Sequence, residues 1–312
     1  MQQYLIIPLA FLLGFSLGRV ATCTVAATDR WINKGKLDWL GGLVVVMSWS
    51  GLVLFLLLLY SGRAHIPVDI EIQASLFIGA FFMGIGALIN RGCFVGTVGY
   101  IGTGQFSYLL SFVGLGLAMW LAGDGMLDLF DPVTPKKRTL IPDDPIKQFV
   151  VVGFVIVCLI SLWLLVMIRN LKMLALLTVG VCAALIFGTR PEWAYSAVIN
   201  SLINGQGLSV GKTVEIAVVA LFLGAILSSW LKDRFKPTLG TWKLAGGNLI
   251  GGFLMGIGAS AVPGGNDILL MWTIPGLALY GAIAYLVMIA TIALAFKLMP
   301  LVQSKLGMQA KA

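Results

Sequence analysis

Charge is what this 312-residue chain has least of: Asp, Glu, Lys and Arg make up 11% of it. Soluble domains carry about 25%. The scarcity excludes an ordinary soluble protein. One histidine, His65, and four cysteines, Cys23, Cys93, Cys158 and Cys182, show no C-x-x-C spacing. That pattern offers no cluster for zinc or haem, and no metal or cofactor is expected. No nucleotide-binding loop is present, so ATP is not the expected energy source. The net charge is +8 without a long basic run. Nucleic acid is therefore not an expected partner, and the charge reads as membrane orientation. The apolar start "YLIIPLAFLLGFSLG" has neither a basic leader nor an A-x-A cleavage site. It is expected to be a first membrane helix rather than a signal peptide.

What the chain does have is hydrocarbon, with 59% of its residues hydrophobic. A spanning helix needs about 20 apolar residues. Nine segments approach that measure, at 4–18, 38–60, 72–89, 106–122, 147–168, 172–187, 211–230, 244–259 and 277–298. The expected fold is an all-α integral membrane protein, a single membrane domain over 1–312 whose main partner is the lipid bilayer. The first, third, sixth and eighth segments are short and run into "RVATCTVAATDRWINKG", "NRGCFVGTVGYIGTG", "TRPEWAYSAVINSLINGQG" and "SAVPGGNDILLMWTIPG". Each of these stretches has room for a short helix. "GDGMLDLFDPVTPKKRTLIPDDPIK", with four prolines, reads as a polar surface loop.

The sequence repeats. "FMGIGALINRGCF" at 82–94 aligns with "LMGIGASAVPGGN" at 254–266, an offset of 172 residues, and "WIN" at 31–33 aligns with "LIN" at 202–204. Residues 1–122 form a first repeat, 123–171 a loop and linker helix, and 172–312 a second repeat. Corresponding segments lie five crossings apart, and an odd offset inverts the second half in the membrane, as in many transporters. Counting Lys and Arg by side gives seven on one and 14 on the other of the 21 in the chain. The richer side is expected to be the cytoplasm, with the N-terminus outside and the C-terminus inside.

Backbone can leave helical form at membrane depth only where it is buried in protein or lines a wet cavity. A helix restarting after a break presents free N–H groups and a positive dipole end, which suits an anion. Arg19, Arg91 and Arg190 stand at such breaks, and Thr22, Thr24, Asn90, Thr97 and Asn266 add neutral hydrogen-bonding groups. The sum is a narrow, electropositive constriction for a small anion. Cys23 and Cys93 lie in two of the breaks, and a thiol is a soft contact suited to an anion with terminal sulfur. A second reading pairs these thiols as a redox or sulfur-relay enzyme, although no general base or cofactor motif accompanies them. Cys158 and Cys182 are read as packing residues, the scattered Trp and Tyr as interface anchors, and His65 as a solvated loop residue.

"GFSLGRVATC" at 14–23 and "MGIGALINRGCFVGT" at 83–97, with the partial copy "GGFLMGIGASAVPGGN" at 251–266, resemble the YeeE/YedE family of bacterial membrane proteins, the thiosulfate-transporter family. The likeness covers nearly the whole chain. It implies an hourglass-shaped protein of the bacterial inner membrane that takes up thiosulfate for sulfur assimilation, passing it along cysteine thiols. Cys23 and Cys93 match two functional cysteines of that family. Arg19, Thr22, Thr24, Arg91, Gly92, Gly264, Gly265 and Asn266 complete the candidate substrate pathway. A cytoplasmic sulfur-handling protein is a candidate partner. The departure is at Gly265, which stands where the family's thiosulfate carriers have a third cysteine. With Asp267 beside it, the cargo could instead be another sulfur or selenium compound.

Overall fold

Uncharged runs rich in Leu, Val, Ala and Met leave the backbone one way to satisfy its polar groups without water, and that way is helix. The structure is a computed structural model that describes residues 2–20, 22–62, 64–123, 145–168, 171–194, 198 and 211–305. Among the described residues the chain is helical, with no strand. The helices are α1 (Ile6–Leu17), α2 (Thr24–Lys34), α3 (Asp38–Ser61), α4 (Ala74–Ile89), α5 (Phe94–Gly102), α6 (Leu109–Gly123) and α7 (Pro145–Ile168). They continue as α8 (Leu171–Thr189), α9 (Lys212–Trp230), α10 (Trp242–Ala261), the single turn α11 (Asn266–Ile268) and α12 (Leu279–Lys305).

A helix falls on each of the apolar segments read from the sequence. Among the described residues, seven helical stretches are long and apolar enough to cross a membrane, one of them running from Ala74 to Gly102 through α4 and α5. Ile6–Leu17 and Phe106–Ala122 are shorter apolar helices. Large side chains on the outside match a hydrocarbon surrounding: Phe149 is 75% exposed and Val166 70%. Exposure on that scale is foreign to a soluble monomer. The polar loop over 124–144 and most of the third interrupted stretch lie outside the described residues.

Lipid tails are as apolar as leucine, so helices in a bilayer associate through close packing and internal hydrogen bonds. The crossing of α4 and α10 has that character. A β-carbon at Gly86 would stand 2.7 Å from the Gly251 carbonyl oxygen, and one at Gly258 would stand 2.4 Å from the Gly79 carbonyl oxygen. These backbones touch only because the side chains are absent. Around this crossing α6 packs on α10 and α12 on α4, while α1 packs on α8 and α9 and α3 on α8. α7 is an outer helix against α3, held by the Trp49 indole N–H donating to Ser161 Oγ at 2.9 Å.

Polar groups fasten the ends. Gly35, at φ 63°, closes α2, and Arg30 then reaches Asp38 in the first turn of α3 with two bonds of 2.6 and 2.8 Å. This pair is exposed and screened by water, so it orients the turn rather than holding the fold. At the start of α12, Asp69 Oδ1 accepts the Tyr280 N–H at 3.3 Å, a carboxylate at the positive end of a helix.

Candidate functional site

The first break begins where α1 stops after 12 residues. α2 restarts at Thr24 with Cys23 as its N-cap in extended conformation, φ −83° and ψ 119°. The second break has the same form: α5 restarts at Phe94 behind Cys93, φ −78° and ψ 173°. The break at 262–265 repeats it, with Gly265 at φ −71° and ψ 175° ahead of α11. In all three the N-cap carbonyl takes the first helical hydrogen bond, from Ala27 at 2.9 Å, Thr97 at 2.8 Å and Leu269 at 3.0 Å. α11 is a single turn that passes into a π-helical turn over Leu269–Thr273. There the Ser50 hydroxyl on α3 donates to the Met271 carbonyl.

The restarted helices meet. Cys93 Sγ lies 3.7 Å from Cys23 Sγ, 70 residues away in sequence. Cys93 Sγ also accepts the Thr24 N–H, the first free donor of α2, at 3.3 Å. The Phe94 N–H, the first free donor of α5, goes to Asn266 Oδ1 at 3.0 Å. Side chains at one break thus receive donors that another break leaves open, which answers the orphan amides of a helix start. Cys23, Cys93, Thr22, Thr24, Thr97, Asn266 and Asp267 are all buried. Thr24 Oγ1 shares a 2.7 Å hydrogen bond with the Tyr285 hydroxyl on α12. Gly96 makes room for the thiol pair: a β-carbon there would stand 2.6 Å from Cys23 Sγ.

Asn90 ties the second break together. Its Nδ2 donates to the Gly92 carbonyl at 2.7 Å and to Thr97 Oγ1 at 3.1 Å, while its Oδ1 accepts the Ser111 hydroxyl at 2.6 Å. Asn90 and Arg91 take bonds back to Gly86 and Leu88, and Gly92 to Ala87. Arg91 holds the left-handed conformation at φ 58°, and Gly264 holds it in the other half at φ 97°.

The arginines do not join the thiols. The Arg19 side chain donates to Ser228 Oγ at 3.1 Å and lies over the Phe15 ring at 4.8 Å. Arg91 is exposed and Arg190 is half-buried. The paired cysteines themselves stand at the starts of α2 and α5, where a helix carries the positive end of its dipole. Cys158 and Cys182 are buried on α7 and α8, in uninterrupted helices.

One expectation is corrected. Tyr108, Tyr280, Tyr285 and Trp193 are interior residues, each no more than 3% exposed. They are not interface anchors. Tyr108 stacks on Tyr100 with centroids 4.5 Å apart, and Trp193 packs edge-on against Phe187 at 5.5 Å. Gly96, Ser111, Ser228 and Tyr285 escaped the sequence reading. Only the glycine carried a signal, as one of several in the "GCFVGTVG" stretch.

A protein-family model described as "Sulphur transport" matches residues 19–294. No curated protein matches the chain.

Proposed function

The chain belongs to the Sulphur transport family, the YeeE/YedE family, and from that membership we propose that it carries thiosulfate into the cell between Cys23 and Cys93. A multi-pass membrane protein of this family is a transporter of sulfur compounds. The observation that carries the finer reading is the meeting of two N-cap thiols, 3.7 Å apart, at the starts of α2 and α5. Helix starts favour an anion, and each such charge interaction is worth about 0.3–1 kcal/mol, more where buried. The sulfurs offer soft contacts to a terminal sulfur. Arg19 and Arg91 act from the flanks, drawing the anion toward the breaks through long-range potential. Thr22, Thr24, Gly92, Gly264, Gly265 and Asn266 line the rest of the path. The protein moves its cargo and does no covalent chemistry on it.

The architecture proposed with this function is an inverted repeat of nine crossings, 1–122 and 172–312 about the linker 123–171. It supports the inversion that contacts come in exchanged pairs. α4 on α12 has its counterpart in α10 on α6, and α1 on α9 in α8 on α3. Gly86 against Gly251 becomes Gly258 against Gly79 when each residue is moved by the 172-residue offset. Phe94 and Asn266, bonded to each other, are themselves 172 apart. The protein would lie in the bacterial inner membrane, N-terminus outside and C-terminus inside, and hand its cargo to a cytoplasmic sulfur-handling protein.

Gly265 and Asp267 favour a second cargo reading, in which another sulfur or selenium compound replaces thiosulfate. Uptake of ³⁵S-thiosulfate into proteoliposomes, with sulfite, sulfate, selenite and a neutral thiol as competitors, separates the readings. Intact label inside, displaced least by sulfate, supports thiosulfate. Stronger uptake of selenite or sulfite supports the second cargo. Sulfite or sulfide produced without uptake would replace transport by a thiol enzyme.

A further inference from the structure

The two N-cap thiols are close enough for a bond that anion passage does not use. Cys23 Sγ and Cys93 Sγ lie 3.7 Å apart, and a disulfide brings two sulfurs to about 2.0 Å. Each sulfur swings on its own Cα–Cβ bond, so the two side chains share the approach. On the α5 side Cys23 lies against bare backbone: a β-carbon at Gly96 would stand 2.6 Å from Cys23 Sγ and 2.8 Å from Cys23 Cβ. Cys158 and Cys182 sit apart from the breaks, on α7 and α8, and all four cysteines are free. The N-cap of the break at 262–265 is Gly265. One bond between Cys23 and Cys93 therefore takes up both N-cap thiols of the described breaks and leaves none in reserve.

Both sulfurs are buried, so the oxidant has to be as small as the cargo. A hydroperoxide such as hydrogen peroxide meets that condition and reaches the pair by the passage that admits the anion. Cys93 Sγ accepts the Thr24 N–H at 3.3 Å, a donor that meets charge on the sulfur as it attacks. The chemistry balances in two steps. Cys93 Sγ attacks one peroxide oxygen, the O–O bond breaks, and a sulfenic acid forms while the other oxygen leaves as water with the thiol proton. Cys23 Sγ then attacks the Cys93 sulfur. The S–S bond forms, the S–O bond breaks, and a second water leaves with the Cys23 proton. Two electrons pass from the sulfurs to the peroxide.

We infer that Cys23 and Cys93 are an oxidisable dithiol: a small hydroperoxide joins them in a disulfide that closes the anion path, and a thiol reductant reopens it. The closure rests on the anion-transport reading above. The bridge ties the start of α2 to the start of α5 and removes both S–H groups from the place where the breaks meet. A dithiol reductant reverses it by exchange, returning both thiols and becoming a disulfide itself. Uptake is then open when the pair is reduced and shut when peroxide is present. Cys158 and Cys182, in uninterrupted helices, have no part in the change.

The test uses the full-length protein in liposomes, with ³⁵S-thiosulfate as probe and hydrogen peroxide as oxidant. A variant carrying Cys158→Ala and Cys182→Ala leaves Cys23 and Cys93 as the only thiols. Peroxide is expected to lower its uptake about tenfold or more, to abolish both titratable thiols and to yield one pair of peptides linked through Cys23 and Cys93. Dithiothreitol is expected to return both thiols and most of the uptake. If the double variant does not fold, peptide mapping and uptake of the parent give the same readings. Two thiols that survive peroxide overturn the inference, as do two that end as separate sulfinic acids without a linked peptide. So does a linked protein that takes up label as fast as the reduced one. A protein that links and unlinks as expected but moves no tested anion when reduced upholds the dithiol site and contradicts the transport reading, a separable failure.

Discussion

At the scale of the residue, the site is a matter of which atoms fit beside sulfur. Gly96→Ala would push a methyl group to 2.6 Å from Cys23 Sγ. The clash costs about 1–3 kcal/mol and separates the thiol pair. The expected result is a lower melting temperature in detergent and reduced uptake; unchanged values of both would mean that Cys23 and α5 are not in contact. Gly265→Ala meets Asp267 Oδ1 at 2.5 Å and the Phe94 ring at 2.9 Å. It is expected to destabilise by a similar 1–3 kcal/mol. Combining it with Asp267→Gly should recover part of that loss, and strict additivity of the two changes in a thermal-shift cycle would argue that the carboxylate lies elsewhere. Cys23 and Cys93 were legible because each sits among glycines beside an arginine in a broken apolar run. Tyr285 was not, because its partner Thr24 is 261 residues away and nothing local to α12 announces a polar contact.

At the scale of the element, the breaks matter more than the spans. Helix positions could be read from hydrocarbon length alone, since a bilayer permits little else. The short helices α2 and α5 could be anticipated from the room left by their breaks. The π turn at Leu269–Thr273 could not, for "LLMWT" is simply apolar, and the Ile274 N–H reaches back five residues to Leu269 at 3.0 Å only in the packed molecule. Asn90 gives the second break its shape through three side-chain bonds. Asn90→Ala leaves the Ser111 hydroxyl and the Gly92 carbonyl without that partner in the interior, a loss of about 1–3 kcal/mol. Chemical denaturation or thermal shift should register it, together with weaker uptake because Gly92 and Cys93 follow directly. A variant as stable as the parent would show that other contacts shape the break.

At the scale of the whole molecule, the proposed inverted repeat brings broken helices from both halves to one place. Its offset was legible in the sequence because "MGIG" survives in both copies. What could not be read was that the exchanged glycine pairs at α4 and α10 form the crossing, since that requires knowing which helix faces which. Reporters fused to the two ends should answer from opposite sides of the membrane, and a shared side would remove the nine-crossing arrangement. The most direct test of the account is ³⁵S-thiosulfate uptake in proteoliposomes by four single variants, Cys23→Ala, Cys93→Ala, Cys158→Ala and Cys182→Ala, each checked for folding. Losing one good contact to a charged ligand costs about 1.5–3 kcal/mol, roughly 10- to 150-fold in affinity. The account expects a loss in that range for Cys23→Ala and Cys93→Ala, and near-parent uptake for Cys158→Ala and Cys182→Ala. Four folded variants with equal uptake would contradict it, because the paired thiols would then have no part in the passage.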